Sequence, residues 1–144
     1  YHRLGEQVKV PTRSNPSDAG LDVYANVRDP IVIEPHESAI IPTGLKFGIP
    51  HGYMLQVMNR SSIAAKRGLM VGAHVIDSGY DGEVFINLHN VGNDPQLIRY
   101  GDKIAQLVMV PVVTFRLNHI QGDLYHESIT ISNRGDGALG STGG

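Results

Sequence analysis

Ala73-His-Val-Ile-Asp-Ser-Gly-Tyr-Asp-Gly-Glu-Val-Phe-Ile-Asn-Leu-His-Asn90 contains two strand-like runs, His74 to Ile76 and Glu83 to His89. Between them Ser78, Gly79, Asp81 and Gly82 surround Tyr80, a composition that predicts a β-hairpin. Along the second run Val84, Ile86 and Leu88 share one face while Glu83, Phe85, Asn87 and His89 share the other, so one face is suited to burial. Asp77 closes the first run. A carboxylate and a phenol at the mouth of a hairpin suit chemistry on a small molecule, while an ordinary turn is the commoner reading of such residues.

Working outward, 144 residues make one domain, able to bury roughly two-thirds of the surface of the unfolded chain. With 17 glycines and 8 prolines, turns are frequent, which favours short strands over a helical bundle. The net charge of -2 gives no global attraction for polynucleotide phosphate, so no nucleic-acid polymer is expected as a partner. Without cysteine there is neither a disulfide nor a thiolate metal site, which excludes the zinc centre of common nucleobase deaminases. The seven histidines show no His-Glu-x-x-His spacing, so a protein-built transition-metal site is not expected. No apolar run reaches the roughly 20 residues of a membrane helix, and the start lacks a signal-peptide layout. The expectation is a soluble, intracellular, cytoplasmic protein with no membrane partner.

The stretch from Val8 to Pro16 should be extended. From Asp18 to Ala25 the residues alternate, with Gly20, Asp22 and Tyr24 on one face and Leu21 and Val23 on the other, placing Asp22 toward solvent or a cleft. Strands are expected at Ile31 to Ile33, Ser38 to Ile41, Leu45 to Ile49 and Tyr53 to Met58. Asn59 to Gly68 reads as one short helix, with Ser61 or Ser62 capping its start and Gly68 ending it in the left-handed conformation. Amides, two hydroxyls and Arg60 at that start form either a phosphate seat or a capped helix with a surface arginine. A strand follows Gly101. On it Ile104, Gln106, Val108 and Val110 share a face, making Gln106 an amide in apolar surroundings that needs a partner from backbone, water or ligand. Leu124 to Ser132 is a possible further strand. The glycine-rich end, with Arg134, Ser141 and Thr142, has the composition of a flexible tail able to wrap phosphate oxygens if it orders on binding.

Five of these pieces, in order, resemble the motifs of the trimeric dUTP pyrophosphatase (dUTPase) family. They are Ala19-Gly20-Leu21-Asp22, Arg60-Ser61-Ser62, Val75-Ile76-Asp77-Ser78-Gly79-Tyr80-Asp81-Gly82, Gly101-Asp102-Lys103-Ile104-Ala105-Gln106, and Arg134-Gly135 through Gly140-Ser141-Thr142-Gly143. The resemblance implies an all-β jelly-roll-like barrel or sandwich with one short helix, assembled as a homotrimer. Residues 1–133 would form the domain and 134–144 an arm closing over a neighbour's active site. The implied reaction is hydrolysis of dUTP to dUMP and pyrophosphate with Mg2+.

By the same resemblance Asp77 would be the general base for water attacking the α-phosphorus, and Asp22 would bind Mg2+ through its water shell. Arg60, Ser61, Ser62, Gln106, Arg134, Ser141 and Thr142 would contact the phosphates. Backbone between Val71 and Ile76, around His74, Val75 and Ile76, would pair with uracil, and Tyr80 would pack on the deoxyribose. Phe85, Leu139 and Gly140 complete the expected substrate-binding set. Three positions depart from the family pattern: His74 replaces a common glycine, Gly79 an acid, and Leu139 an aromatic that stacks on uracil. A dCTP deaminase shares the implied fold, but Asn87 stands where that chemistry has a glutamate, and an amide is no general base. A non-catalytic nucleotide-binding trimer is the other alternative, and a regulatory protein partner is left open.

Overall fold

The computed structural model describes residues 1–121. Within them the strands are β1 (His2–Arg3), β2 (Leu21–Tyr24), β3 (Ile31–Ile33), β4 (Ser38–Pro42), β5 (Leu45–Lys46), β6 (Tyr53–Met58), β7 (Leu69–Val71), β8 (Val75–Ile76), β9 (Phe85–Asn90), β10 (Gln96–Ile98) and β11 (Lys103–Pro111). One helix, α1 (Ser61–Arg67), lies between β6 and β7. These strands form a four-stranded sheet ordered β2-β11-β6-β8, a three-stranded sheet β4-β9-β7, and the pairs β1-β5 and β10-β3. All pairings are antiparallel. The architecture is the expected all-β jelly roll with one short helix, contained in the unit Tyr1–Thr114.

Alternation along the strands places the core. On β9, Ile86 and Leu88 are fully buried while Phe85 and His89 are exposed, as the period-2 pattern requires. They join Ile41 and Leu69 from their own sheet, and Val23, Val57, Ala105 and Leu107 from the other, in one apolar cluster. Each fully buried Leu or Ile contributes about 2 kcal/mol, so the two sheets are held by a shared interior. Buried Asn90 is satisfied there: its Nδ2 donates to the carbonyls of Ile33 and Asp94, at 2.9 and 2.8 Å, and its Oδ1 accepts from Gly92 N.

The expected hairpin at 74–89 does not form. Strand β8 pairs with β6, in the register Leu55↔Ile76, whereas β9 lies between β4 and β7. Residues 77–84 therefore cross from one sheet to the other. Competing partners explain the difference. Val57 N donates to the His74 carbonyl at 2.8 Å, Val84 N donates to the Leu45 carbonyl at 2.8 Å, and Thr43 Oγ1 donates to the Val84 carbonyl at 2.6 Å. Both edges of β9 are occupied, by β4 and β7, so neither is left for β8.

Smaller differences have local causes. Strand β5 stops at Lys46 instead of Ile49, because its partner β1 has only two residues. The stretch from Val8 to Pro16 meets β2 in a single bridge, Thr12↔Asp22. A bulge between Lys103 and Ala105 inserts one extra residue, so Ile104 and Ala105 are both buried and Ile104 does not share the Gln106 face. At α1 the N-cap is Arg60, with no side-chain cap bond, so neither serine caps the helix. Gly68 ends it at φ 63, its N–H donating to the Ala64 carbonyl, as expected for a left-handed terminator. Ile63 packs α1 on the core. No helix among the described residues is long and apolar enough to cross a membrane. The boundary expected after 133, the strand expected at 124–132 and the arm residues Arg134, Leu139, Gly140, Ser141 and Thr142 lie outside the described residues.

Candidate active site

Register brings the first group together. Gln106 on β11 stands opposite Asp22 on β2 and Met58 on β6, so the end of β6 delivers Arg60 and the start of α1 beside them. Asp22, Arg60, Ser61, Ser62 and Gln106 line one cavity of about 250 Å³, together with Ser14, Asp18, Ala19 and Gly20. Asp22 is only 9% exposed, and its carboxylate is heavily engaged. Oδ1 accepts from Arg60 Nε at 2.8 Å, and Oδ2 lies 3.5 Å from Lys103 Nζ and 3.3 Å from Ser14 Oγ, which donates to it. Arg60 and Lys103 thus both neutralise Asp22, while Asp18 adds a second carboxylate to the lining and Arg60 is its one cation among the described residues.

Within that lining Arg60 is the group suited to an anion. With Nε held by Asp22, the guanidinium is fixed in direction, and its two Nη groups have no hydrogen-bond partner among the described residues. The Ser61 and Ser62 hydroxyls, released from capping, line the same cavity. Gln106 is half-buried, and its amide is partnered through Nε2, which donates to the Asn59 carbonyl at 2.9 Å. Asn59 Oδ1 in turn accepts from Val71 N at 2.8 Å, so Asn59 ties β6, β7 and β11 at the edge of the cavity. Asn59, Lys103 and Ser14 were not singled out from sequence. Lys103 sat inside a quoted motif, but its partner Asp22 is 81 residues away.

The second group forms separately. Val75, Ile76, Asp77, Tyr80, Glu83, Val84 and Phe85 line a cavity of about 200 Å³ that shares no lining residue with the first. Tyr80 N donates to the Asp77 carbonyl at 3.1 Å, closing a turn, and the Tyr80 hydroxyl donates to the Glu83 carbonyl at 2.6 Å. The Glu83 carboxylate accepts from Gly44 N at 2.7 Å. His74 does not line the cavity; its ring Nδ1 donates to the Val57 carbonyl at 3.2 Å. Gly79 has open space where a side chain would project. Asn87 accepts from His89 Nε2 at 2.8 Å and lines neither cavity.

Mg2+ binding at the first cavity is restricted by its donors. Asp22 is the one carboxylate there not tied to its own loop, since Asp18 Oδ2 accepts from Asn15 N at 2.9 Å. Among the described residues no three His, Asp or Glu side chains converge to enclose a metal ion. Such a donor set is too small to enclose a cation, so an ion here would draw most of its ligands from phosphate and water.

The dUTPase family profile matches residues 6–143. A deoxyuridine 5'-triphosphate nucleotidohydrolase of Alcanivorax borkumensis is 35% identical over 144 residues, covering 98% of this chain and 92% of the relative. Among solved structures, a variant of the Staphylococcus bacteriophage 80alpha dUTPase with dUpNHpp superimposes with TM-score 0.82 at 28% identity, covering 99% of this chain and 96% of that one. A variant of the dUTPase from phage phi11 of S. aureus, described for its coordination of a structural Mg(II) ion, gives TM-score 0.77 at 29% identity, covering 84% of this chain and 95% of that one. With a profile spanning nearly the whole sequence and a relative 35% identical over almost the full length, the chain belongs to the dUTPase family.

Proposed function

We propose that the protein hydrolyses dUTP to dUMP and pyrophosphate at sites completed between copies of the chain in a homotrimer. The observation that carries this is the division of the motifs between two cavities. Asp77 follows Ile76, which pairs with Leu55, and so lies abreast of Met54 on β6. Arg60 is six residues further along the chain, roughly 20 Å at strand spacing. That separation is too large for both side chains to touch one phosphate group, so a neighbouring copy must supply one of the two halves.

In this reading the triphosphate lies on Arg60, Ser61, Ser62 and Gln106, with the arm residues Arg134, Gly140, Ser141 and Thr142 closing over it and Leu139 beside the base. Asp77 of a neighbouring copy accepts a proton from the water that attacks the α-phosphorus. Its carboxylate oxygens make no side-chain bond among the described residues, which leaves them available for that water. Mg2+, when bound, would neutralise phosphate oxygens and orient them for attack. Asp22 keeps the Arg60 guanidinium aimed into the cavity and would hold the ion through its hydration shell.

Base selection falls to β8, which is an edge strand. The bond from Val57 N to the His74 carbonyl makes Val57 and His74 the hydrogen-bonded pair of the β6–β8 ladder, so Val75 is in the alternate position and directs its N–H and C=O away from β6. An adjacent donor and acceptor match the uracil O4 and N3–H. Cytosine reverses both groups and leaves them unpaired, a strong discrimination. His74, with its carbonyl and ring both engaged, supports this edge instead of reading the base. Tyr80 and Phe85 flank the sugar and base. A pyrophosphate-release assay with dUTP, dTTP, dCTP and UTP, with and without Mg2+, tests the proposal. Turnover of dUTP alone supports it, and ammonia release from dCTP would replace it with deamination.

A further inference from the structure

We infer that Glu83 is a positioning residue for sugar selection, holding the Tyr80 ring as a fixed wall of the second cavity. The inference rests on the reading of Tyr80 as the residue packed on deoxyribose. Tyr80 is 45% exposed, so packing alone does not orient it. Two contacts do. Its hydroxyl donates to the Glu83 carbonyl at 2.6 Å, and its ring lies over Gly82, where an added Cβ would stand 2.5 Å from the phenol oxygen and 2.7 Å from Cζ. Because the hydroxyl is used as a donor to the chain three residues on, the phenol presents its ring to the cavity.

The placement of that carbonyl is set from outside the loop. The Glu83 carboxylate accepts from Gly44 N at 2.7 Å, a contact between residues 39 positions apart in sequence. Gly44 sits at φ 71 between Thr43 and Leu45, both almost wholly buried, so the partner amide belongs to a rigid part of the core. Val84, the next residue, is fixed to the same turn through Thr43 Oγ1 and the Leu45 carbonyl. The order of support therefore runs from the Thr43–Leu45 turn to the Glu83 side chain, from the Glu83 carbonyl to the Tyr80 hydroxyl, and then to the ring. Removing the carboxylate leaves the Gly44 amide without its acceptor and the Glu83 carbonyl held only through the Val84 peptide, so the ring's distance from the sugar is set less firmly. A 2'-hydroxyl would then meet a yielding wall.

The test is the ratio of kcat/KM for dUTP to that for UTP, which general destabilisation does not change because both substrates use the same folded fraction. Glu83→Ala should lower the ratio about tenfold, while Glu83→Gln, whose amide oxygen still accepts from Gly44 N–H, should keep it. Gly82→Ala displaces the ring without touching the Glu83 carboxylate and should shift the ratio in the same direction, which keeps the inference testable if Glu83→Ala fails to fold. Tyr80→Ala sets the scale. An unchanged ratio in Glu83→Ala alongside a changed one in Tyr80→Ala overturns the role of Glu83, and an unchanged ratio in Gly82→Ala overturns the fixed ring on which that role depends. An unchanged ratio in Tyr80→Ala overturns the underlying assignment of Tyr80 instead.

Discussion

Gly20, immediately before β2, lies against the Gln106 side chain of β11: a Cβ built on Gly20 would lie 2.6 Å from Gln106 Oε1 and 3.2 Å from the Leu107 carbonyl. The amide can swing away more readily than the strand can move. Gly20→Ala should therefore cost only about 1 kcal/mol of stability while displacing Gln106 from the phosphate cavity. The expected result is at least a roughly tenfold fall in kcat/KM for dUTP, measured beside a urea unfolding curve. Normal kinetics would remove Gln106 from substrate contact.

Asp77→Asn keeps the shape of the turn, since Tyr80 N bonds to the backbone carbonyl of residue 77 and not to its side chain. Binding of dUpNHpp should stay within about threefold of the parent, whereas turnover should fall by about 10² to 10⁴, the usual contribution of a positioned base. Calorimetric titration and pyrophosphate release measure the two separately. Near-normal release would exclude Asp77 as the base.

Asp22→Ala leaves Arg60 and Lys103 without their shared counter-charge. With Asp22 and Arg60 side chains 12% and 23% exposed, the change should cost about 1–3 kcal/mol. Lys103→Met, at a side chain 39% exposed, should cost less than about 1 kcal/mol. Denaturant titration distinguishes them. The Asp22 variant should also need more Mg2+ for half-maximal rate, and an unaltered Mg2+ response would separate Asp22 from the ion.

Asn90→Ala removes three hydrogen bonds at a site 1% exposed and strands the Ile33 and Asp94 carbonyls. A loss of about 3 kcal/mol is expected, seen as a lowered urea midpoint. Well below that midpoint, kcat should match the parent, because Asn90 lines neither cavity.

Alternation of apolar residues was enough to assign most of the strands and the buried face of β9, because side chains of a strand point to opposite sides whatever the strand pairs with. Strands β1, β7 and β10, of two or three residues each, were not read from the sequence, and the jelly roll followed from the family likeness. The left-handed stop at Gly68 was likewise legible, being a local property of one residue. The motif residues named the chemistry: Asp22, Arg60 and Gln106 recognisably belong together through their likeness to a family, although they are scattered over 85 positions.

Pairing was decided elsewhere. The turn at 77–82 has hairpin composition and does form a local reversal, yet β8 and β9 lie in different sheets because β4 and β7 occupy both edges of β9, and Thr43 and Leu45 take the backbone groups of Val84. The same long-range competition places Lys103 on Asp22 and Glu83 on Gly44, contacts with no trace in local pattern. Which side chains of a strand face inward is a property of neighbouring residues in the chain. Which strand lies beside it, and hence which residues share a cavity, depends on contacts formed when distant segments compete for the same donors and acceptors.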